Sequence, residues 1–184
     1  MNETLRVIAG RYSCRNYDGR MPEREKLEAI ALAAVQSPSG MNRQPWRIIV
    51  VNNKAPVDEL DAEGMDVLKS GGDSAYYDLI LKRGGKLFYN APCMFLILKQ
   101  PENNRETDIG IVSENIALAA ASLGLGSVIA ASPSIPLKGP NGERFRQKLK
   151  FPDGFEFGLS VLAGYAVKEG KPHQPDLSKI QFIE

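Results

Sequence analysis

A chain of 184 residues can bury a full hydrophobic core in one domain, so 1–184 is expected to form a single unit. Hydrophobic residues at 43% and charged residues at 24% exclude a disordered or fibrous chain. A net charge of +1 argues against a general nucleic-acid binder, which carries a marked basic excess.

Residues 2–10 predict a short helix carrying Leu5, Val7, Ile8 and Ala9. Residues 22–36 predict a second helix. Pro22 opens it and Glu23 and Glu25 sit in its first turn, choices that suit a helix N-terminus. Leu27, Ile30, Ala31, Ala34 and Val35 then follow the spacing of one buried stripe. Pro38 and Gly40 end it. Trp46 to Val51 is a near-continuous apolar run, the pattern of a buried strand. The stretch 56–86 reads as two helices joined near Gly71-Gly72, and 92–98 as a second strand. Residues 107–123 form a long helix, with Ile109, Val112, Ile116, Ala119, Ala120 and Leu123 on one face. Gly124-Leu125-Gly126 closes it, and 127–131 is a third strand. A short helix over 143–149 and a fourth strand over 157–167 follow. From about 168 the polar, proline-containing tail is expected to be extended.

No run of about 18 apolar residues predicts a membrane span. Residues 1–10 lack the basic start and apolar centre of a secretory signal. Cys14 and Cys93 form no CxxC and read as free, buried thiols, which favours a reducing, cytoplasmic setting. His173 is the only histidine. A histidine-based metal site or a Ser-His-Asp triad therefore has little to work with, and no Gly-x-Ser-x-Gly elbow is present.

Two segments concentrate binding chemistry. Arg11-Tyr12-Ser13-Cys14-Arg15 sets two arginines four residues apart beside hydroxyls. Arginine offers fork-shaped, charge-assisted hydrogen bonds, so the pattern suits a phosphate, although two solvated arginines after a helix are the plain alternative. Ser37-Pro38-Ser39-Gly40-Met41-Asn42-Arg43-Gln44-Pro45-Trp46 is a polar loop caught between a helix and a strand, a common place for binding groups. Asn42 and Gln44 amides offer donors and acceptors to a flat heterocycle, and the Met41 thioether could pack on a ring. The plain alternative is a turn whose side chains satisfy their own backbone. Trp46 reads as core or interface. Gly124-Leu125-Gly126-Ser127 is not a dinucleotide fingerprint, because Ile129 stands at the third glycine position and the turn follows a helix. It reads as a helix C-cap.

Together the two segments resemble those of the nitroreductase-like flavoprotein family. The resemblance continues through Asn90-Ala91-Pro92, Asp108-Ile109-Gly110, Gly124-Leu125-Gly126-Ser127 and Gly164-Tyr165. It implies an α+β fold, an α/β/α sandwich with a mixed, largely antiparallel sheet. It also implies a homodimer with FMN at the subunit interface. Arg11 and Arg15 would hold the phosphate, with Tyr12 and Ser13 lining the same end. Pro38, Ser39, Gly40, Met41, Asn42 and Gln44 would help build the flavin site. The strand after Gly124-Leu125-Gly126 would bring backbone close to the ring, with Ala131 and Ser132 as candidates. A backbone N–H near flavin N5 would favour hydride delivery without a side-chain acid. Relatives often complete the phosphate site with a Lys or Arg pair after the Gly-Tyr strand. Here Lys171 can serve as one cation, and His173 stands where an arginine is often found, with a bland surface histidine as the alternative. Larger relatives place an Asn and a Lys near the flavin from the middle of the chain. Between Asp66 and Lys86 no spacing matches, and no residue is assigned there.

The function implied is that of an FMN-dependent oxidoreductase. NADH or NADPH reduces the flavin, leaves, and is replaced by a small-molecule acceptor such as a nitroaromatic or quinone. The cofactor carries the hydride, so no catalytic side chain and no metal is nominated. Two alternatives stay open: a flavin-binding module without turnover, and a flavoenzyme that dehydrogenates or dehalogenates one metabolite.

Overall fold

The computed structural model describes residues 1–71, 73–101 and 106–184. Four strands form an antiparallel sheet in the order β1-β2-β4-β3. They are β1 (Trp46–Val51), β2 (Cys93–Lys99), β3 (Gly126–Ala130) and β4 (Glu156–Gly164). Among the described residues the only parallel pairing is an isolated bridge from Ser13 to Ser127, which lays the 11–15 segment along the β3 edge.

The sheet is buried on both faces, and strand periodicity explains how. In β2, Met94, Leu96 and Leu98 join one core, while Cys93, Phe95 and Ile97 join the other. Successive side chains point to opposite faces, so an unbroken apolar run is what a doubly covered strand requires. On one face lie α2 (Arg24–Val35) and α5 (Glu106–Ser122), which supply Leu27, Ile30, Ile109, Val112 and Ile116. On the other lie α3 (Lys54–Gly71), α4 (Ser74–Lys82), α6 (Ser134–Lys138) and α7 (Gly142–Lys148), supplying Val57, Leu60, Ile80, Leu137 and Phe145. The result is the three-layered α/β/α sandwich expected. α1 (Glu3–Gly10) contributes no fully buried residue, and the Asn2 side chain caps it by accepting from Leu5 N–H.

Several boundaries differ from expectation. α2 starts at Arg24 with Glu23 as its cap, so Pro22 is a buried residue ahead of the helix. Val35, expected in the buried stripe, is 44% exposed. α3 begins early, at Lys54, where Asn53 Oδ1 accepts from Ala55 N–H. β4 ends at Gly164 rather than near 167, because the chain turns there to pair with 16–18. Three short elements were not expected: a 3-10 turn at Gly40–Asn42, α6, and a 3-10 turn at Leu177–Lys179. The expected junction between α3 and α4 includes Gly72, which lies outside the described residues.

Both cysteines are free and buried. Burial pushes the Cys93 thiol up to about 12 and raises that of Cys14, so neither is poised as a thiolate. The Gly124-Leu125-Gly126 turn is a helix cap. Leu125 N–H reaches Ala120 C=O and Gly124 N–H reaches Ala121 C=O, the paired bonds of a Schellman motif. Gly124 takes φ of +75° there. Gly126 has another reason to be glycine: a Cβ would sit 2.8 Å from Cys14 Cβ and Sγ.

Candidate functional site

The 11–15 arm is fixed at both ends. Arg11 N–H closes on Val7 C=O at the end of α1, and Cys14 N–H donates to Ser127 C=O at 2.8 Å. The Arg11 guanidinium is held by Glu114 of α5 at 3.1 Å, with the arginine side chain 20% exposed. Arg15 differs. It is exposed, its one recorded bond is a long 3.5 Å contact with Ser13 C=O, and among the described residues it has no carboxylate partner. An unpaired guanidinium beside an exposed serine hydroxyl is a donor set that suits a phosphate.

The 37–45 loop is rigid at its roots and polar at its tip. Ser37 is buried and its hydroxyl accepts from Asn115 Nδ2 of α5 at 2.9 Å. Pro45 and Trp46 are buried at the other root. Trp46 belongs to the core, as expected. Between the roots, Met41, Asn42 and Gln44 all take left-handed backbone, with φ of 53°, 52° and 48°. Asn tolerates that region, while Met and Gln seldom occupy it. Ser39 stabilises the turn through its hydroxyl, which accepts from Gln44 N–H at 2.9 Å. Gln44 Nε2 donates to Asn42 Oδ1 at 3.1 Å. That leaves one amide donor and one amide acceptor available on exposed side chains. Met41 is 77% exposed. Strain of this kind persists where surrounding structure over-determines it, and it gathers at ligand-binding segments.

Ala131 and Ser132 follow β3 directly. Their carbonyls accept from Ser134 and Ile135 N–H, turning the chain off the sheet into α6. Ser127, the bridge partner of Ser13, lies four residues earlier, about 13 Å along a strand.

The tail leaves β4 through Tyr165, which is clamped. Lys26 Nζ donates to the Tyr165 hydroxyl at 2.9 Å, and the hydroxyl donates to Glu23 at 2.6 Å. Arg20 stacks over the ring at 4.4 Å. The Tyr165 hydroxyl, together with the Glu23 backbone and Lys26, holds the Glu23 carboxyl down to about 2. Lys171 and His173 are exposed, and neither has a recorded partner among the described residues.

Two cavities adjoin these residues. One of about 460 Å³ is walled by Arg11, Tyr12, Gly126, Ser127 and Tyr165. Another, of about 410 Å³, is walled by Ala131, Lys99, Lys138 and Phe157.

The structure therefore gathers Arg11, Tyr12, Ser13 and Arg15 along the β3 edge, with Ala131 and Ser132 beyond the same strand. It does not bring Pro38, Ser39, Gly40, Met41, Asn42 and Gln44 to them. That loop leads into β1, at the opposite edge of the sheet. Ser13 bridges Ser127, which registers through Ala163 to Cys93, while Trp46 registers with Lys99. Ser13 and Trp46 are thereby separated by about 19 Å across the strands and about 20 Å along them. Helix α5 stands between, with Glu114 holding Arg11 on one flank and Asn115 holding Ser37 on the other. Glu114 and Asn115 escaped sequence reasoning. Adjacent helix residues point about 100° apart, but nothing in the spacing says which neighbours they meet.

Comparison with known proteins places this geometry. The family model described as Nitroreductase family matches residues 8–165. A crystal structure of a nitroreductase with bound FMN from Desulfitobacterium hafniense DCB-2 is 47% identical. It covers 100% of both chains with a TM-score of 0.95. A nitroreductase with bound FMN from Bacteroides fragilis NCTC 9343 is 25% identical over 100% of both chains, with a TM-score of 0.88. An Archaeoglobus fulgidus protein, provisionally named NADH dehydrogenase/NAD(P)H nitroreductase, is 31% identical over 70% of this chain and 67% of its own.

Proposed function

The chain belongs to the nitroreductase family, and on that premise we propose that it is a homodimeric, FMN-dependent NAD(P)H oxidoreductase acting on small acceptors. The observation that carries this reading is the pairing of two incomplete half-sites. A phosphate-suited arm, with Arg15 unpaired among the described residues, lies at one sheet edge. A strained, polar loop suited to a heterocycle lies at the other. In this reading a two-fold related copy closes both on a single flavin, since an isologous interface can place each chain's loop against its partner's arm. The FMN-bound relatives support the cofactor.

When bound, FMN would supply the redox chemistry between NADH or NADPH and a nitroaromatic, quinone or similar acceptor. The chain's own residues bind and orient. Arg15, Ser13 and Lys171 take the phosphate, with Arg11 steadied behind them by Glu114. Asn42 and Gln44 of the partner's loop, lent geometry by Ser39, meet the polar edge of the ring, and Met41 covers it. Backbone at Ala131 and Ser132 approaches the reacting side. No side chain is assigned as acid or base. Donor and acceptor use one pocket in turn, which gives ping-pong kinetics.

The test is the visible spectrum of freshly purified protein, followed by anaerobic addition of NADH or NADPH. Yellow protein that bleaches, then recovers colour when menadione or a nitroaromatic is added, supports the reading. Colourless protein that takes up no added FMN overturns it. Yellow protein that neither pyridine nucleotide bleaches would leave a flavin-binding module in its place.

A further inference from the structure

The tail is held to the body by a short series of contacts. Asp18 N–H donates to Tyr165 C=O at 3.0 Å and Val167 N–H to Asn16 C=O at 3.1 Å, around a bridge between Tyr17 and Ala166. Past that ribbon, Gly170 lies close against the ring of Tyr12. A Cβ added at Gly170 would lie 2.3 Å from Tyr12 Cδ2, 2.4 Å from Cε2 and 3.0 Å from Cγ. Glycine is required there by space, since three atoms of one aromatic ring fill the volume a side chain would need. Tyr12 is itself partly buried and packed against the core.

Gly170 is also the last partly buried residue in the chain, as 171–184 are all exposed. Nothing downstream fixes the tail among the described contacts to the body, so the Gly170–Tyr12 contact sets where Lys171 begins. Tyr12 lies between Arg11 and Ser13. Backbone at Lys171 is one residue, about 3.8 Å, from the point of contact. We infer that Gly170 is a positioning residue for phosphate recognition: its close approach to Tyr12 lays the tail across the arm and delivers the Lys171 ammonium to the phosphate held by Ser13 and Arg15. This rests on the FMN reading above. It adds that discrimination of FMN from riboflavin depends on a glycine that touches neither.

The experiment is fluorescence titration of flavin-stripped protein with FMN and with riboflavin, for the native chain and for Gly170→Ala. A charge-assisted hydrogen bond to phosphate is worth about tenfold or more in affinity. Gly170→Ala is expected to weaken FMN by about that factor and to leave riboflavin within about twofold, with the melting temperature of the stripped protein unchanged. Tyr12→Ala removes all three opposing atoms. On that background, adding Gly170→Ala is expected to change FMN affinity by less than about twofold, the non-additivity of residues in contact. An unchanged FMN affinity in Gly170→Ala, an equal loss for both flavins, or a full loss persisting on the Tyr12→Ala background overturns the inference. A native chain with no preference for FMN over riboflavin would instead bring down the phosphate site itself, a result separable from any behaviour of the variant.

Discussion

Arg11 and Arg15 look equivalent in the sequence and are not equivalent in the fold. Arg11 is bonded to Glu114 and mostly covered, while Arg15 is exposed, with only a 3.5 Å contact to a carbonyl. Exposed charges contribute little to stability. Arg15→Gln should therefore leave the melting temperature of flavin-free protein where it was, weaken FMN by about tenfold or more, and spare riboflavin. Parallel titration of the two flavins checks it. Asp61 is the opposite case, a buried carboxylate that accepts from Phe88 N–H at 2.6 Å. Burial raises its pKa, a shift opposed by the Phe88 bond and by Lys86. The folded state thus holds the Asp61 proton to higher pH than the unfolded chain does. Wild-type stability from this group is greatest below the unfolded value near 3.8, and it is lost as pH rises through the folded value. Asn keeps an oxygen for Phe88 and carries no charge. Asp61→Asn should compare best with wild type at neutral pH, and its advantage should shrink as pH falls through that window. Urea melts at several pH values would read this. A difference independent of pH would mean that the charge is not what burial penalises.

At the scale of elements, α5 ties the two halves of the candidate site to one rod. Asn115 Nδ2 donates to Ser37 Oγ and, at 3.3 Å, to Ala33 C=O. Asn115→Leu leaves the buried Ser37 hydroxyl without that donor, a cost of about 1–3 kcal/mol, readable as a lower urea midpoint. Its binding signature should differ from that of Arg15→Gln. In the proposed function the loop serves the ring, which FMN and riboflavin share, so affinity for both should fall together. Much of this architecture was legible. β2 carries six consecutive apolar residues fit for a strand covered on both faces, and α5 shows a clear apolar spacing. Other features left no trace. The 134–138 turn of α6 is one turn long and contains Pro136, which reads as a breaker although an early helix position tolerates it. The left-handed backbone at Met41 and Gln44 falls on residues that do not favour it, in a turn closed by the Ser39 hydroxyl on Gln44 N–H. Asp61 sits among other acidic residues of α3, and only the tertiary approach of Phe88 singles it out. Local signals reach as far as the turn or helix that generates them, whereas these features depend on a partner distant in sequence.

For the whole molecule, the decisive quantity is the distance between the two segments that drew attention first. The arm and the loop lie across the sheet from each other, with α5 between. No rotamer change closes a gap of that size. Either the flavin uses one half, or a second chain completes the other. The candidates outside the core suit the second option. Leu5 and Ile8 on α1 are 53% and 47% exposed, and Phe182 and Ile183 in the tail are 86% and 90% exposed, apolar side chains that a partner chain would cover under that option. Complementation decides between the two. Arg15→Gln damages the arm and Asn42→Ala damages the loop, and each homodimer then carries two defective sites. In a mixed dimer built on two-fold symmetry, one site collects both defects and the other collects none. Co-expression of the two variants should therefore restore about a quarter of the native flavin sites, measured as bound FMN per chain and as NAD(P)H oxidation. Separately purified and never mixed, neither variant should reach that level. If each chain holds its flavin alone, co-expression can return no more than the average of the two variants. The shared site would then be wrong, even if the protein is yellow.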